Sequence, residues 1–230
     1  IDCFLKTTQQ LGIKVLTGQS VQSIFKKDNY WKIDTQNQSY QVENLILATG
    51  SNPKIWEMLQ EFGHAIIPPV PSLFTFNSKD PRIKELPGVS AKVTVRVKDT
   101  KLEATGPLLI THWGMSGPAI LKLSAWGARI LHDKNYQFTL LVNWLNDLDT
   151  EEALVQLKTL KQEQAKKTVA KKSPFELTNR LWESLVLASG ISTETKWADL
   201  SKIQLQHLAQ QLTNGIFSIK GKSTFKEEFV

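Results

Sequence analysis

The sequence predicts a multi-part α+β protein, and three features of the chain indicate this. An antiparallel meander of β-prone runs occupies residues 21–42, and a second group of β-prone runs follows a proline cluster at residues 68–71. A helical block over residues 149–214 then separates this second group from one more strand at residues 216–220. The helical block is therefore expected to be an insertion between strands of a β unit.

The first 65 residues have the pattern of a helix, a strand, the meander and a buried strand. Phe4, Leu5 and Leu11 suit one face of a helix, and Gly12 is placed to end it. Residues 13–16 then predict a strand. Residues 44–50 form an apolar run that ends in Thr49 and Gly50. This pattern is typical of a strand buried on both faces of a sheet. A helix is expected from about Pro53 to Phe62, before Gly63.

The second group of β-prone runs predicts a small β unit. Residues 91–97 alternate strictly between apolar and polar, so one face of this strand is expected in the core. Pro118 occupies the favoured first position of a helix that follows the loop 112–117. Further strands are expected at residues 72–76, 101–105, 108–111 and 137–144.

Three helices are expected within the helical block, each with an N-terminal signal. Asp149 and Glu152 have the spacing of a capping box, and acidic residues occupy the first turn as the helix dipole favours. Residues 173–176 are expected to cap a second helix that ends at Gly190. Residues 201–204 are expected to cap a third helix that ends at residues 214–215.

Composition excludes several classes of protein. The 230 residues are 41% hydrophobic and 22% charged, which is typical of a globular chain. Cys3 is the single cysteine, so a disulfide scaffold and a zinc site of several thiolates are excluded, and the histidines lack metal-ligand spacing; no metal is expected. No apolar run reaches the length of about 18 residues that a membrane span requires, and no signal peptide is evident. A cytoplasmic protein without a membrane partner is predicted.

The positive charge is concentrated in one part of the chain. The net charge is +6, and six lysines with a single opposing residue, Glu163, account for much of the excess. These lysines are Lys158, Lys161, Lys166, Lys167, Lys171 and Lys172. A solvated helix face is the favoured interpretation because no aromatic residue or arginine lies among them, so nucleic acid is not the expected partner. Contact with RNA or another acidic partner is the alternative.

Two segments are candidates for chemistry. Ala48, Thr49 and Gly50 end the predicted buried strand, and ligands of open α/β sheets bind beyond the carboxyl ends of strands, although apolar strands ending in glycine occur in most α/β proteins. The loop 112–117 leads into a helix start, where free N–H groups suit an anionic or carbonyl oxygen and His112 can add a proton-transfer group. The alternative for this loop is a purely structural turn and helix cap.

Four segments together resemble the BaiN-like flavoproteins, which are NAD(P)/FAD-dependent oxidoreductases also described as aminoacetone oxidase-like. They are residues 44–50, 63–73, 111–121 and 222–230. The resemblance implies an FAD-binding α/β domain of the glutathione-reductase type, interrupted by an insert. The insert consists of a β-barrel-like subdomain and a helical-bundle subdomain. The segment 51–53 departs from the family pattern, in which a Gly-rich run follows the strand.

By this resemblance, the domain boundaries can be assigned along the chain. A partial FAD-binding segment with the β-meander covers residues 1–65, and the β-rich subdomain covers residues 66–148 with 215–226. The helical subdomain covers residues 149–214, and the chain begins to return to the FAD domain at residues 227–230. The chain has no G-x-G-x-x-G fingerprint, its first residue is Ile1, and neither end has a helix cap or stop signal. It is therefore expected to be an internal fragment that is inactive by itself.

The resemblance also implies the cofactors and the site. FAD is expected in the full-length protein, with NAD(P)H as electron donor and a small molecule of unknown identity as substrate, while the fragment itself is not expected to hold FAD tightly. The catalytic candidates are His112 and Ser116. The candidate cofactor contacts are Val21, Ala48, Thr49, Gly50, Gly114 and Gly117. Two alternatives stay open: a macromolecule-binding module that uses the basic helix, and a structural insert that covers the flavin.

Overall fold

The computed structural model describes residues 1–223, which divide into two compact units, residues 1–68 and residues 69 onward. Both units contain helices and antiparallel sheet, which confirms the predicted α+β class. Residues 224–230 lie outside the described part of the chain. The expected return to the FAD domain at residues 227–230, and the last residues of the predicted β-rich segment 215–226, fall in that stretch.

The first unit contains the predicted meander between two helices. Its three strands form an antiparallel sheet in the order β1-β2-β3, in which Ile24 pairs with Ile33 and Ile33 with Tyr40. The helix predicted before Gly63 begins at Pro53 as expected. The elements are α1 (Asp2–Gln10), β1 (Val21–Lys27), β2 (Tyr30–Thr35), β3 (Ser39–Val42) and α2 (Pro53–Glu61).

Two predicted strands of the first unit are wrong. Neither residues 13–16 nor residues 44–50 are in a strand, and the residues expected to be buried on both faces are largely exposed, with Ile46 89% exposed. The physical reason is that a strand requires a neighbour to receive its ladder hydrogen bonds. Within residues 1–223 neither segment has such a neighbour, so an apolar pattern alone leaves them extended and unpaired.

The second unit is built around a seven-stranded antiparallel sheet that closes into a barrel. The strand order is β10-β4-β7-β6-β5-β8-β9, so the two ends of the sheet are β9 and β10, which are joined through Gly221 alone. The Gly221 N–H donates to Tyr136 O (2.8 Å), and its carbonyl accepts from Asn77 N (3.1 Å). The strands are β4 (Thr75–Asn77), β5 (Ser90–Val97), β6 (Glu103–Ile110), β7 (Gly114–Ser116), β8 (Gln137–Asn143), β9 (Gly215–Lys220) and β10 (Lys222–Ser223).

The central strands of the barrel follow the predicted alternation with one difference. In β5, the side chains of Ala91, Val93, Val95 and Val97 are buried, which confirms the expected core face. Residues 101–111 were expected to form two strands separated at Pro107. They form the single strand β6, because the ladder to β5 continues on both sides of the Lys92–Pro107 pair.

The helices of the second unit pack around the barrel and against one another. Both predicted capping boxes are confirmed: Glu152 N donates to Asp149 Oδ1 (2.8 Å), and Gln204 N donates to Ser201 Oγ (3.2 Å). A 3₁₀ turn lies at Trp197–Asp199. The helices are α3 (Pro81–Lys84), α4 (Pro118–Trp126), α5 (Ala128–Asp133), α6 (Thr150–Glu163), α7 (Asn179–Ala188) and α8 (Lys202–Thr213).

The predicted start of the second helix in the helical block is wrong. The helix α7 begins at Asn179, with Thr178 as its cap, rather than after Ser173. The Ser173 hydroxyl instead donates to Phe175 O (3.0 Å) and accepts from Phe175 N (3.2 Å). Such local side-chain bonds offer the backbone an alternative to the helix, and residues 174–178 lie outside any helix.

One hydrophobic core runs through the barrel and the helices of the second unit. It extends in sequence from Phe74 to Ile219, and the stacked rings of Trp182 and Trp197 (6.3 Å between centroids) contribute to it. In the first unit, the buried hydrophobic side chains are Ile24 and Ile55. Within residues 1–223, no helix combines the length and the apolar character needed to cross a membrane.

Candidate functional site

A groove of about 690 Å³ in the first unit brings two of the predicted cofactor contacts together. Val21, at the start of β1, and Thr49 both line it, although they are far apart in sequence. Ala48 and Gly50 flank Thr49 and are exposed. The remaining lining residues are Gln19, Ser20, Asn52, Pro53, Lys54 and Ile55.

One side of the groove is the N-terminus of α2. Asn52 caps this helix, since its Oδ1 accepts from Lys54 N (3.1 Å), and its own N–H donates to Gly50 O (2.9 Å). Gly50 has φ +61°, a left-handed conformation that glycine adopts without steric cost. The segment 51–53, which departs from the Gly-rich pattern of the resembling family, therefore forms a capped helix start.

The other side of the groove is held in place by the meander. The Thr35 hydroxyl donates to Gln19 Oε1 (3.0 Å), and Gln36 N donates to Ser20 O (3.0 Å). These two bonds tie the extended segment before β1 to the end of β2. The groove wall is therefore positioned by long-range hydrogen bonds rather than by the local sequence.

The chemistry of the groove suits a phosphate-bearing ligand with an apolar part. No aspartate or glutamate is among its lining residues. Lys54 lines it, and the N-terminus of α2 adds the positive end of the helix dipole. Val21 and Ile55 supply apolar surface. These residues fit one wall of a dinucleotide site, although the chain lacks the glycine-rich turn that holds a pyrophosphate in many such sites.

The second predicted segment forms a tight turn at one end of β6 in the second unit. Thr111 Oγ1 accepts from Trp113 N (3.2 Å) and Gly114 N (3.3 Å), and Thr111 N donates to Gly114 O (2.9 Å). This arrangement leaves His112 exposed at the tip of the turn. His112 is therefore accessible to a ligand in solution.

The other residues of this segment are part of the barrel wall. Ser116 lies in β7, pairs with Leu109 and is only 2% exposed, so the two catalytic candidates differ sharply in accessibility. A Cβ added to Gly114 would lie 2.1 Å from Phe76 O, and one added to Gly117 would lie 2.8 Å from Leu109 N. Both glycines thus permit close approach of neighbouring strands. Gly117 is also the N-cap residue of α4, and no side-chain hydrogen bond caps that helix.

Lys54, Asn52 and Ile55 are groove residues that sequence reasoning did not single out. The Asn-Pro step at residues 52–53 is a helix-start signal, and it could have indicated that the first turn of α2 faces the end of the preceding apolar run. The location of Gln19 and Ser20 in the same groove has no comparable signal, because it depends on hydrogen bonds to the end of β2 and the turn beyond it.

A small closed antiparallel barrel that shares its core with a helical block defines a barrel-plus-helices module. Residues 70–230 match the family model described as "HI0933-like protein barrel and H2TH domain". Because this match covers most of the chain, the chain belongs to the HI0933-like family of flavoproteins. The resemblance to flavoprotein oxidoreductases is thereby confirmed at the level of the family.

Two curated relatives extend this comparison to the first unit. A protein of Haemophilus influenzae named "Ribosomal RNA dihydrouridine synthase" is 27% identical over 229 residues, covering 94% of this chain and 54% of the relative. A protein of the same name from Escherichia coli is 24% identical over 193 residues, covering 79% of this chain and 46% of the relative. The chain therefore spans about half the length of the curated relatives it matches.

Proposed function

We propose that this chain is part of an FAD-dependent oxidoreductase that reduces uridine in ribosomal RNA to dihydrouridine, with NAD(P)H as the electron donor. Three findings support the proposal: the membership of the flavoprotein family, the name shared by the two relatives, and the groove of the first unit. The groove is the observation that carries it. Val21 and Thr49 converge there beside a capped helix start that favours anionic ligands.

In this proposal, the groove holds part of FAD. Main-chain groups near Val21 and Thr49, with Ala48 and Gly50 beside them, contact the cofactor, and Lys54 adds a positive charge for its phosphates. Gly114 and Gly117 remain candidate contacts from the barrel unit. Because the chain contains no dinucleotide fingerprint, we expect the chain alone to bind FAD weakly and to be inactive.

The reaction requires two separate transfers to the base. Reduction of uridine adds a hydride and a proton across the C5=C6 double bond, so the base is reduced by two electrons and NAD(P)H is oxidised by two. Bound flavin supplies the hydride chemistry, and the protein supplies position and electrostatics. His112, as the exposed ionisable side chain of the 112–117 turn, is our first candidate for delivering the proton, and Ser116 is the second.

The experiment uses the full-length protein that carries this chain. The purified protein is expected to show an oxidised flavin absorption band near about 450 nm. When it is incubated with NADPH and ribosomal RNA that lacks dihydrouridine, mass spectrometry of the digested RNA should detect uridine that has gained two hydrogen atoms. Well-folded protein without a flavin band would overturn the assignment of FAD. Protein that has a flavin band but leaves uridine unmodified would overturn the assignment of the substrate.

Two charge reversals test the groove itself. Lys54→Glu places an anion beside the proposed phosphate position, so flavin affinity should fall by about tenfold or more. Lys14→Glu is the matched control, since Lys14 is exposed in the same unit but does not line the groove. Equal flavin retention in both variants would contradict the assignment of the groove.

A structural insert that only covers the flavin stays the alternative for the barrel unit. The substitution His112→Ala distinguishes a role in proton delivery from a purely covering role. A role in proton delivery predicts a fall of about 10²-fold or more in turnover at unchanged flavin content. A purely covering role predicts normal turnover, measured in the same assay of modified uridine.

A further inference from the structure

We propose that the segment between α6 and α7 forms a basic surface that binds the phosphate backbone of RNA. We define the basic loop as residues 164–172, which carry Lys166, Lys167, Lys171 and Lys172. The choice of RNA as the occupant rests on the proposed function, since the relatives' name makes ribosomal RNA the substrate there.

The lysines are not arranged as the sequence predicted. They were expected along a helix face, but α6 ends at Glu163, and the four lysines of the basic loop follow it in turns. All four are exposed. Lys161 differs from them because its Nζ donates to Leu200 O (2.5 Å), so it serves to join α6 to the segment before α8. The expectation of a solvated helix face therefore does not describe residues 166–172.

The backbone of the basic loop is held by hydrogen bonds to a second segment. Trp197 N donates to Lys167 O (3.0 Å), Val169 N donates to Thr195 O (2.9 Å), and Thr168 pairs with Lys196 in an antiparallel bridge. The Trp182 indole donates to Val169 O (2.8 Å). An ordered backbone places the lysines in fixed relative positions, which lowers the entropy lost when they bind a ligand.

The centre of the basic loop is part of the core, whereas its charges point to solvent. Val169 is fully buried and Ala170 is 6% exposed, and both belong to the hydrophobic core beside the stacked tryptophans. Lysines therefore flank a buried dipeptide on both sides, two before it and two after it. Lys196, which is exposed on the bridged segment, adds a fifth positive charge.

These charges are not neutralised by ion pairs among the described residues. Within residues 1–223, none of the four lysines of the basic loop forms an ion pair. The adjoining segments carry four acidic residues, Glu163, Glu176, Glu194 and Asp199, and none of them forms an ion pair with the five lysines in the described part of the chain. Ammonium groups without ion-pair partners on an ordered backbone suit phosphates, whose condensed counterions are released on binding.

The surface favours RNA over an acidic protein as the partner. Stable protein interfaces contain an apolar centre within a polar rim. No large hydrophobic side chain among those exposed in the described chain falls between residues 156 and 186. A surface with charges and no apolar centre suits a polyelectrolyte, and phosphate contacts of this kind position an RNA without reading its sequence.

The test compares two variants of the full-length protein with the same change in net charge. The first replaces the four lysines of the basic loop by glutamine. The control replaces four exposed lysines outside the basic loop by glutamine; they are Lys14, Lys27, Lys98 and Lys101. Binding of a fluorescein-labelled oligouridylate is followed by anisotropy from about 50 to 200 mM salt, and circular dichroism verifies that each variant is folded.

We expect the basic-loop variant to bind at least about tenfold more weakly at low salt, with a log–log salt slope smaller by about two to three units, while the control changes little. Equal RNA affinity of the two variants would overturn the inference that the basic loop binds RNA, but would leave the reductase proposal intact. Absence of uridine reduction by the unaltered protein, together with weaker RNA binding by the basic-loop variant than by the control, would do the reverse. Polyglutamate that competes as well as RNA would also overturn the inference, since the surface would then favour an acidic protein.

Discussion

Arg82 connects three parts of the barrel unit through one side chain. Its guanidinium donates to Asp80 Oδ1 (2.8 Å) and Oδ2 (2.7 Å), to Gln211 Oε1 (2.6 Å) on α8, and to the carbonyl of Ile216 on β9. It also lies 3.8 Å from the centroid of the Phe217 ring. The sequence shows Asp80 and Pro81 as a helix start, but not that Arg82 reaches partners about 130 residues away.

Asp80 is expected to make stability depend on pH. Burial raises the pKa of this carboxyl, but the hydrogen bonds and charge of Arg82 outweigh that effect, so the pKa lies below the ordinary value of 3.8. A carboxyl with a lowered folded-state pKa contributes stability above its unfolded-state pKa and loses it as pH falls through the folded-state pKa. Asp80→Asn should therefore cost about 1.5–3 kcal/mol at neutral pH. The cost should shrink below about pH 4, as measured by urea unfolding.

An exposed ion pair provides the control for this prediction. Arg96 and Glu103 face each other at 3.7 Å, with both side chains more than half exposed. Glu103→Gln should change the free energy of unfolding by less than about 1 kcal/mol, because solvent screens such pairs. A cost of Asp80→Asn that stayed constant from neutral to acidic pH would show that the charge of Asp80 is not responsible.

The two predicted site segments show how far single residues can be assigned from sequence. Val21 and Thr49 were expected near one cofactor, and the structure brings both to one groove. His112 and Ser116 were grouped because they are close in sequence, yet the turn at Thr111 exposes one and the barrel wall buries the other. Accessibility could not be predicted here, because it depends on which strand each residue joins.

At the scale of the elements, β7 determines how closely two barrel strands approach. Gly114 pairs with Asn77 of β4, and a Cβ at Gly114 would lie 2.6 Å from Ser78 N as well as 2.1 Å from Phe76 O. Gly114 also has φ +150°, which L side chains rarely adopt. A short strand of three residues thus depends on one glycine for its place in the barrel.

Gly114→Ala is expected to destabilise the barrel by at least about 3 kcal/mol, because the added methyl group must displace backbone atoms of β4. The matched control is Gly88→Ala. Gly88 also has a positive φ (+85°), but a Cβ there would meet no atom within 4 Å, so only backbone strain of about 1 kcal/mol is expected. Urea unfolding of both variants measures the difference. Similar costs at the two sites would contradict the steric explanation.

Elements with local signals were predicted well, whereas two expected strands in the first unit, residues 13–16 and 44–50, were not confirmed. The capping boxes at Asp149 and Ser201 and the meander of the first unit follow from short-range patterns, and the structure confirms them. The start of α7 was misplaced because residues 173–176 have the sequence pattern of a helix cap. In the structure, Ser173 instead forms local hydrogen bonds with Phe175. Residues 44–50 have the composition of a buried strand but no strand beside them within residues 1–223.

At the scale of the whole molecule, the two units differ in how much apolar surface they bury. The hydrophobic core of the second unit contains three fully or nearly fully buried tryptophans, Trp144, Trp182 and Trp197. Its members all lie between Phe74 and Ile219. The first unit, in contrast, leaves Ile13, Val15, Leu16 and Ile46 more than half exposed. Most of the hydrophobic stabilisation of the described chain is therefore in the second unit.

Residues 69–230 are accordingly expected to fold when produced alone. They should unfold in one cooperative transition within about 5 °C of the main transition of the whole chain, as measured by circular dichroism at increasing temperature. Residues 1–68 alone are the comparison, and we expect fast amide hydrogen exchange in them because few side chains are buried. A cooperative transition that required residues 1–68 would contradict this distribution of stability.

By itself, the sequence determined the α+β class, the flavoprotein resemblance, and the elements whose signals lie within a few residues of each other. The tertiary structure decided the closure of the barrel at Gly221, the contacts of Arg82, the exposure of His112 but not Ser116, and the fixed backbone of the basic loop. The physical reason is the range of the interactions. Caps and hairpins form between neighbours in sequence, whereas burial and strand pairing depend on residues that only the fold brings together.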